Sequence, residues 1–227
     1  MTETEQLIED LEQIFSVFRH IFGNTVNSLK ITLDVLIRNY HTFDDSTTQE
    51  FLYRALEQVD RQHEFLNAMR TYARSDVGKI EETPLIVLWN DLLVSARSRL
   101  NERKIRLSHD IQAVPRSVLI NLTSVRKIME HLVDNAIDAV NNTEFPEIQL
   151  SAFTHSGSLV IQVSDNGEGI PPEIRSKVFT PFFTTREGHF GLGLSISRKT
   201  LSQMDGRLEL SNRLPAGTEA RIWLKTA

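Results

Sequence analysis

Several groups of residues in this chain have types and spacings that chemistry could use. The first is Val163-Ser164-Asp165-Asn166-Gly167-Glu168-Gly169-Ile170. An apolar run, Leu159 to Val163, has strand character and ends near an acidic residue; two glycines follow at spacing two, and Pro171-Pro172 closes the stretch. Glycine accepts φ > 0 and lets another molecule approach the backbone, so this is a candidate ligand edge. An Asn-Gly turn joining two strands fits the same residues. The second is Asn135, on a predicted helix whose apolar residues Ile128, Leu132, Ala136, Ile137 and Ala139 point to a core. Its amide oxygen is a hard ligand suited to Mg²⁺, although a solvated polar position would look the same. Gly191 and Gly193 open a predicted helix, where unpaired N–H groups and the positive helix end favour phosphate. Lastly, His20 lies on a long predicted helix with Asn24 at i+4, on the same face.

The elements that must hold these groups are legible from periodicity. Residues 4 to 41 contain no proline and a single glycine, Gly23. Apolar residues recur at Leu7, Ile14, Ile21 and Val35, at Ile8, Phe15, Phe22, Leu29 and Leu36, and at Leu11 and Phe18. That seven-residue repeat, held for about five heptads, describes a long helix packing in coiled-coil fashion. His20 then faces away from the apolar stripe, exposed, and Ile21 lies at the core's edge. His41 and His63 read as inert surface residues. Residues 41–46 break the pattern, and Ser46 or Thr47 is expected to cap a second helix over about 48–75. That helix would turn Phe51, Leu52, Leu56, Val59, Phe65, Leu66, Met69 and Tyr72 inward. Two such helices form an antiparallel hairpin that cannot bury its broad apolar stripe alone. A homodimeric four-helix bundle is the expected solution.

After a linker at residues 76–79 a helix is expected from Pro84 to about Asn101. Strands and helices then alternate: strands 105–111 and 117–121, helix 124–140, strands 147–154 and 158–164 joined by a hairpin at His155-Ser156-Gly157, a short helix 172–178, an irregular stretch to Phe190, helix 192–204, and strands 207–211 and 219–225. The fold class is α+β: a helical hairpin at 1–76, then an α/β sandwich at 77–227 with helices on one face of a mixed sheet. Hydrophobic content of 40% and charged content of 24% suit a globular protein. A net charge of −5 and a pI near 5.8 give no reason to expect nucleic acid. The absence of cysteine excludes disulfides, thiolate catalysis and cysteine zinc sites. No apolar run approaches the roughly 20 residues of a membrane span. The acidic start of the chain lacks a signal-peptide pattern, so a cytoplasmic location is expected.

Taken together, these segments resemble the ATP-binding (Bergerat) fold shared by histidine kinases, MutL, type II topoisomerases and the Hsp90 chaperones. His131-Leu132-Val133-Asp134-Asn135-Ala136-Ile137-Asp138-Ala139 looks like the family's N box, and Asp165-Asn166-Gly167-Glu168-Gly169 like its first glycine box. Phe179-Thr180-Pro181-Phe182-Phe183-Thr184-Thr185-Arg186 is similar to the F box of bacterial kinases, and Gly191-Leu192-Gly193-Leu194 to the second glycine box. The match extends to Gly217-Thr218. The resemblance implies ATP and Mg²⁺, with Asp165 accepting a hydrogen bond from the adenine amine and Asn135 holding the metal. It also implies nucleotide contacts at His131, Asp138, Gly167, Gly169, Ile170, Phe182, Thr185, Arg186, Gly191, Leu192, Gly193, Leu194 and Thr218. The segment from Phe183 to Gly191 would be a mobile lid. Arg19-His20-Ile21-Phe22-Gly23-Asn24 resembles the H box, which implies that His20 takes the γ-phosphoryl group and passes it to an aspartate on a response regulator receiver domain. Asn24 matches the position that orients water for dephosphorylating the regulator. The input would come from a sensor domain upstream or a separate sensor protein.

The chain departs from the family in places. Asp or Glu usually follows the histidine and accepts its proton; here Ile21 does. Four residues before Asn135 the family has Asn or Glu; here it is His131, which argues against a water-activating ATPase. His189 replaces a glycine common just before the second glycine box. The leading expectation is a dimeric sensor histidine kinase core. The alternative is an ATP-binding phosphatase or phosphotransfer scaffold with weak autokinase activity, and a third reading, an ATPase or serine kinase of the same fold, is opposed by the heptad hairpin.

Overall fold

The computed structural model describes residues 3–73, 77–112, 114–186 and 189–227; along the first helix it describes the side chains of Phe15, Ser16 and Phe18 onward. The heptad positions Leu7, Ile8, Leu11 and Ile14, and Asp76 of the expected linker, lie outside that description. The chain divides into two compact units, Met1–Ala73 with Thr184–Leu192, and Arg74–Phe183 with Gly193–Ala227.

The first unit is built on two long helices, α1 (Glu3–Asn39) and α2 (Asp45–Ala73). α1 runs uninterrupted because it lacks proline and its one glycine costs only about 1 kcal/mol in a helix interior. The cap of α2 differs from the expectation. Asp44, not Ser46 or Thr47, accepts the Thr47 N–H at 2.7 Å. The Thr47 side chain and backbone N–H hold the Asp44 carboxyl below its ordinary range. The helix therefore begins at Asp45, earlier than the expected start near residue 48. Leu36, Ala55 and Phe65 are buried between the helices, with Phe18 stacked on Phe22 (5.5 Å) and tilted against Phe65 (5.6 Å). Phe190 packs on the other side of Phe65 at 5.1 Å. Leu52, Leu56, Val59 and Leu66, expected to point inward, are exposed in the single chain, as are Phe15, Val26 and Ile37. One neighbouring helix covers only part of so broad a stripe.

The second unit carries a five-stranded mixed sheet of order β2-β4-β5-β7-β6: Arg106–Ile111, Glu147–His155, Ser158–Asp165, Thr218–Lys225 and Arg207–Asn212. β2 pairs parallel with β4, and the other pairings are antiparallel. A separate ribbon joins β1 (Glu81–Pro84), a strand absent from the sequence expectation, to β3 (Ser117–Ile120). Helices α3 (Leu85–Asn101), α4 (Leu122–Ala139) and α5 (Gly193–Ser202) supply the apolar layer. Ile148, Leu150 and Ala152 of β4, Leu159, Ile161 and Val163 of β5, and Ile222 and Leu224 of β7 alternate into it, all buried. α4 contributes Val125, Ile128, Met129, Leu132, Val133, Ala136 and Ile137 at helical spacing. Each Val, Leu, Ile or Met among them contributes about 1.5–3 kcal/mol on full burial.

Polar rungs also join α3 to α4. Asp91 receives two hydrogen bonds from Arg126 (2.7 and 2.6 Å), Ser95 donates to Glu130 (3.4 Å), and Arg99 reaches Asp134 (2.6 Å). Asn121 caps α4 by accepting the Ser124 N–H, so this helix starts at Leu122 rather than Ser124. The short helix expected over 172–178 shrinks to a 3₁₀ turn, Pro172–Ile174, and α5 begins at Gly193 rather than Leu192. Short prolyl stretches favour turns over sustained helix.

Candidate functional site

The loop after β5 is organised by one carboxylate. Asp165 is buried, and its Oδ1 accepts the N–H of Gly167 at 2.9 Å and the N–H of Thr218 at 3.1 Å. The first bond folds the loop back on its own strand end; the second ties it to the start of β7, 53 residues away. Backbone contacts then leave no room for side chains. A Cβ on Gly167 would lie 2.3 Å from the Ala139 carbonyl oxygen, at the end of α4. A Cβ on Gly217 would lie 2.0 Å from the Asp165 carbonyl oxygen, and Gly217 has φ +107°. The glycines thus serve close packing of loop on helix and loop on loop.

Two asparagines finish the frame. The Asn166 side chain accepts the Glu147 N–H (2.8 Å) and donates to the Phe145 carbonyl (2.7 Å). Asn212 accepts from the Ile170 N–H (2.9 Å) and donates to the Ile170 carbonyl (3.0 Å). Asn212 was missed as a site residue, and Gly217 was read only as the end of the family match. The signal available for Gly217 was its place beside Thr218 in a tight β6–β7 turn; Asn212 carried none.

His131, Asn135 and Asp138 occupy half-buried positions on α4. The His131 ring lies against the first residue of α5, its Cγ 3.7 Å from where a Gly193 Cβ would stand. Its Nδ1 is 3.4 Å from Oγ of Ser197, a fully buried hydroxyl. Burial lowers the His131 pKa, opposed by the carboxylates of Asp134 and Glu130 and reinforced by Arg99 and Lys127. The ring is therefore held neutral. Leu194 packs half-buried against the apolar layer. Phe182 is buried with φ +66°, a region few bulky residues adopt, which marks a conformation imposed by its surroundings. Beside it the Arg198 guanidinium lies 4.9 Å over the Phe179 ring, joining this segment to α5.

Thr185, Arg186, Gly191 and Leu192 belong to the first compact unit, with the hairpin. There Thr184 Oγ1 accepts the Arg186 N–H at 3.0 Å and donates to its carbonyl at 3.3 Å. Leu192 is buried and His189 exposed. On α1, His20 is exposed, and its Nε2 lies 3.1 Å from Asn24 Nδ2. Ile21 is half-buried, at the core's edge. Among the described residues no group of three His, Asp or Glu side chains could cage a metal ion. Asn135, half-buried on α4, offers one hard amide oxygen, a donor type that Mg²⁺ accepts. Also among the described residues, no helix is long and apolar enough to cross a membrane.

A buried aspartate at a strand end, a glycine-packed loop and a helix opening at glycine all lie in the C-terminal half of the chain. Residues 121–227 match the histidine kinase-, DNA gyrase B- and HSP90-like ATPase family. Over a longer span the chain is 27% identical, across 217 residues, to the C4-dicarboxylate transport sensor protein DctB of Rhizobium meliloti, covering 96% of this chain and 35% of that protein. It is 26% identical across 193 residues to the sensory histidine kinase/phosphatase NtrB of Vibrio alginolyticus, covering 79% and 53%. The catalytic domain of the histidine kinase ThkA aligns with 65% of this chain and 96% of its own at a TM-score of 0.59 and 26% identity. The ThkA kinase, solved in complex with the response regulator protein TrrA, aligns with 100% of this chain and 68% of its own at a TM-score of 0.74 and 22% identity, a likeness of fold. The chain thus resembles sensor histidine kinases over most of its length, with a helical hairpin followed by an α/β domain that contains the ATPase match. It spans between about a third and about half of the length of these curated relatives.

Proposed function

We propose that this chain binds Mg-ATP through residues 77–227, transfers the γ-phosphoryl group to His20 on the hairpin of residues 1–76, and passes it to an aspartate of a response regulator receiver domain. The observation that carries the reading is the Asp165 carboxylate, fixed by two backbone N–H groups in a chain that also exposes a helix histidine. A carboxylate so held is aligned to accept a hydrogen bond from the adenine amine. Asn135 would supply a metal oxygen, and the N–H groups at the start of α5 would face the phosphates. Bound Mg²⁺ would neutralise phosphate charge; the chain's own part is positioning and charge complementarity, which carry most of phosphoryl transfer. In the transfer, a bond forms between an imidazole nitrogen and the γ-phosphorus while the bond from that phosphorus to the β,γ-bridging oxygen breaks. The electron pair leaves with ADP.

The exposed stripe of Phe15, Val26, Ile37, Leu52, Leu56 and Val59 supports a homodimer through the hairpin, working in the cytoplasm where ATP is available. Input would arrive from a sensor domain or a separate sensor protein. Incubation with γ-labelled ATP tests the reading. Acid-labile, alkali-stable label that vanishes in His20→Gln is the expected result. Ile21 favours a second reading, in which nucleotide binds but the core acts chiefly as a regulator phosphatase through Asn24. Measurable ATP binding with no label at all would select that one.

A further inference from the structure

Asn24 stands one turn beyond His20 on the exposed side of α1, and its Nδ2 lies 3.1 Å from His20 Nε2. Among the described residues it is the one hydrogen-bond partner of the His20 ring. An amide nitrogen only donates, whereas a neutral imidazole carries one N–H and one bare nitrogen. The nitrogen facing Asn24 Nδ2 is then the bare one, so Nε2 presents its lone pair and Nδ1 carries the proton. A carboxylate next to the histidine would enforce the same tautomer from the opposite side, by accepting from Nδ1–H. That neighbour is Ile21, half-buried and without a charge.

We propose that Asn24 is a positioning residue that selects the Nδ1–H tautomer of His20 and so reserves the Nε2 lone pair for the phosphoryl group. The inference rests on His20 as the acceptor and adds how that residue is prepared without an adjacent acid. Asn24 swings aside as the γ-phosphorus approaches, since an exposed amide hydrogen bond exchanges readily for one to water. The Nε2 lone pair then forms the nitrogen–phosphorus bond, and the bond from phosphorus to the β,γ-bridging oxygen breaks, with its electron pair leaving on ADP. The ring becomes a phosphoimidazolium that still bears Nδ1–H, and this proton passes to solvent water.

The test is a long-range proton–nitrogen correlation spectrum of the whole chain with ¹⁵N-labelled histidine, in mildly alkaline solution where an ordinary imidazole is neutral. His20→Gln assigns the signals, and the exposed His63 provides an internal reference. In the unmodified chain His20 Nε2 is expected to read as unprotonated and Nδ1 as protonated. Asn24→Ala should relax both toward the mixed values of His63. Asn24→Asp is isosteric but only accepts, so it should invert the pattern to Nε2–H. Label from γ-labelled ATP should fall by about five- to tenfold in that variant, the population shift one ordinary hydrogen bond sustains. Both substitutions fall on the helix surface, and unchanged His41 and His63 signals report an intact hairpin. A wild-type His20 indistinguishable from His63, or an Asn24→Asp chain that keeps Nε2 bare, overturns the proposal. If the tautomers respond as expected while no label enters any chain, the tautomer assignment stands and the kinase reading falls.

Discussion

The two bonds to Asp165 Oδ1 allow its structural role to be separated from its proposed role in nucleotide recognition. Replacing Asp165 by Ala leaves the N–H groups of Gly167 and Thr218 without their acceptor in a buried place. Each unsatisfied group costs about 1–3 kcal/mol, so the variant should lose about 2–6 kcal/mol of stability. Asp165→Asn keeps an oxygen in the same position. It exchanges two charge-assisted bonds for two neutral ones, a loss of about 2 kcal/mol, partly offset because a buried charge is removed. For the nucleotide the two variants should behave alike. Alanine offers no acceptor to the adenine amine, and asparagine, its oxygen held by the two N–H groups, puts an NH₂ donor in place of the other carboxylate oxygen. Loss of a hydrogen bond to a charged group, about 1.5–3 kcal/mol, weakens ADP binding by roughly 10- to 150-fold. Urea denaturation gives the stabilities and calorimetric titration with ADP gives the affinities. The reasoning is refuted if Asp165→Asn binds ADP within twofold of the unmodified chain, or if Asp165→Ala is as stable as Asp165→Asn.

Other expected outcomes follow from the same geometry. Gly217→Ala should be severely destabilising, by about 3 kcal/mol or more in denaturant titration, because its Cβ would meet the Asp165 carbonyl oxygen at 2.0 Å and its φ of +107° suits only glycine. His131 is held neutral by burial, so the unfolded chain binds its proton more readily than the folded one as pH drops below about 6.5. Its contribution is complete above that value and lost as pH falls toward the lowered folded pKa. Stability measured at about pH 7.5 and 5.5 should show this fall, and His131→Asn should reduce it. Replacing Leu56 and Val59 by Lys should abolish the proposed dimerisation through the hairpin, read by sedimentation, since each exposed apolar side chain would contribute up to about 1.5–3 kcal/mol when covered.

What the sequence disclosed depended on range. The long helices, the β4–β5 hairpin at Ser156-Gly157 and the alternating strands were legible because period and turn chemistry are local signals. Asp165, Gly167 and Thr218 were legible as a pattern of boxes, yet their mutual hydrogen bonds join positions 53 residues apart, and no local rule shows them. Asn212 was missed for that reason: its partner is Ile170, reached only when β6 and β7 close the sheet edge. The α2 cap was misread because Asp44 competes with Ser46 and Thr47 within one turn, and the more N-terminal acceptor prevailed. Strand β1 ends at the proline that was read as a helix start; that residue serves both elements.

The rungs between α3 and α4 set the axial position of the helix that carries His131 and Asn135. Residues 91, 95 and 99 meet residues 126, 130 and 134, each pair 35 positions apart. A slip of one turn in one direction would bring Asp91 against Glu130, two like charges with no cation between them. In the other direction Arg126 would face Ser95 and Asp91 would lose its partner. The ladder therefore works as a vernier: α4 has one setting at which every rung closes. The loops that join α3, β2, β3 and α4 carry none of these rungs, so their length can vary while the Asn135 amide stays at the same height.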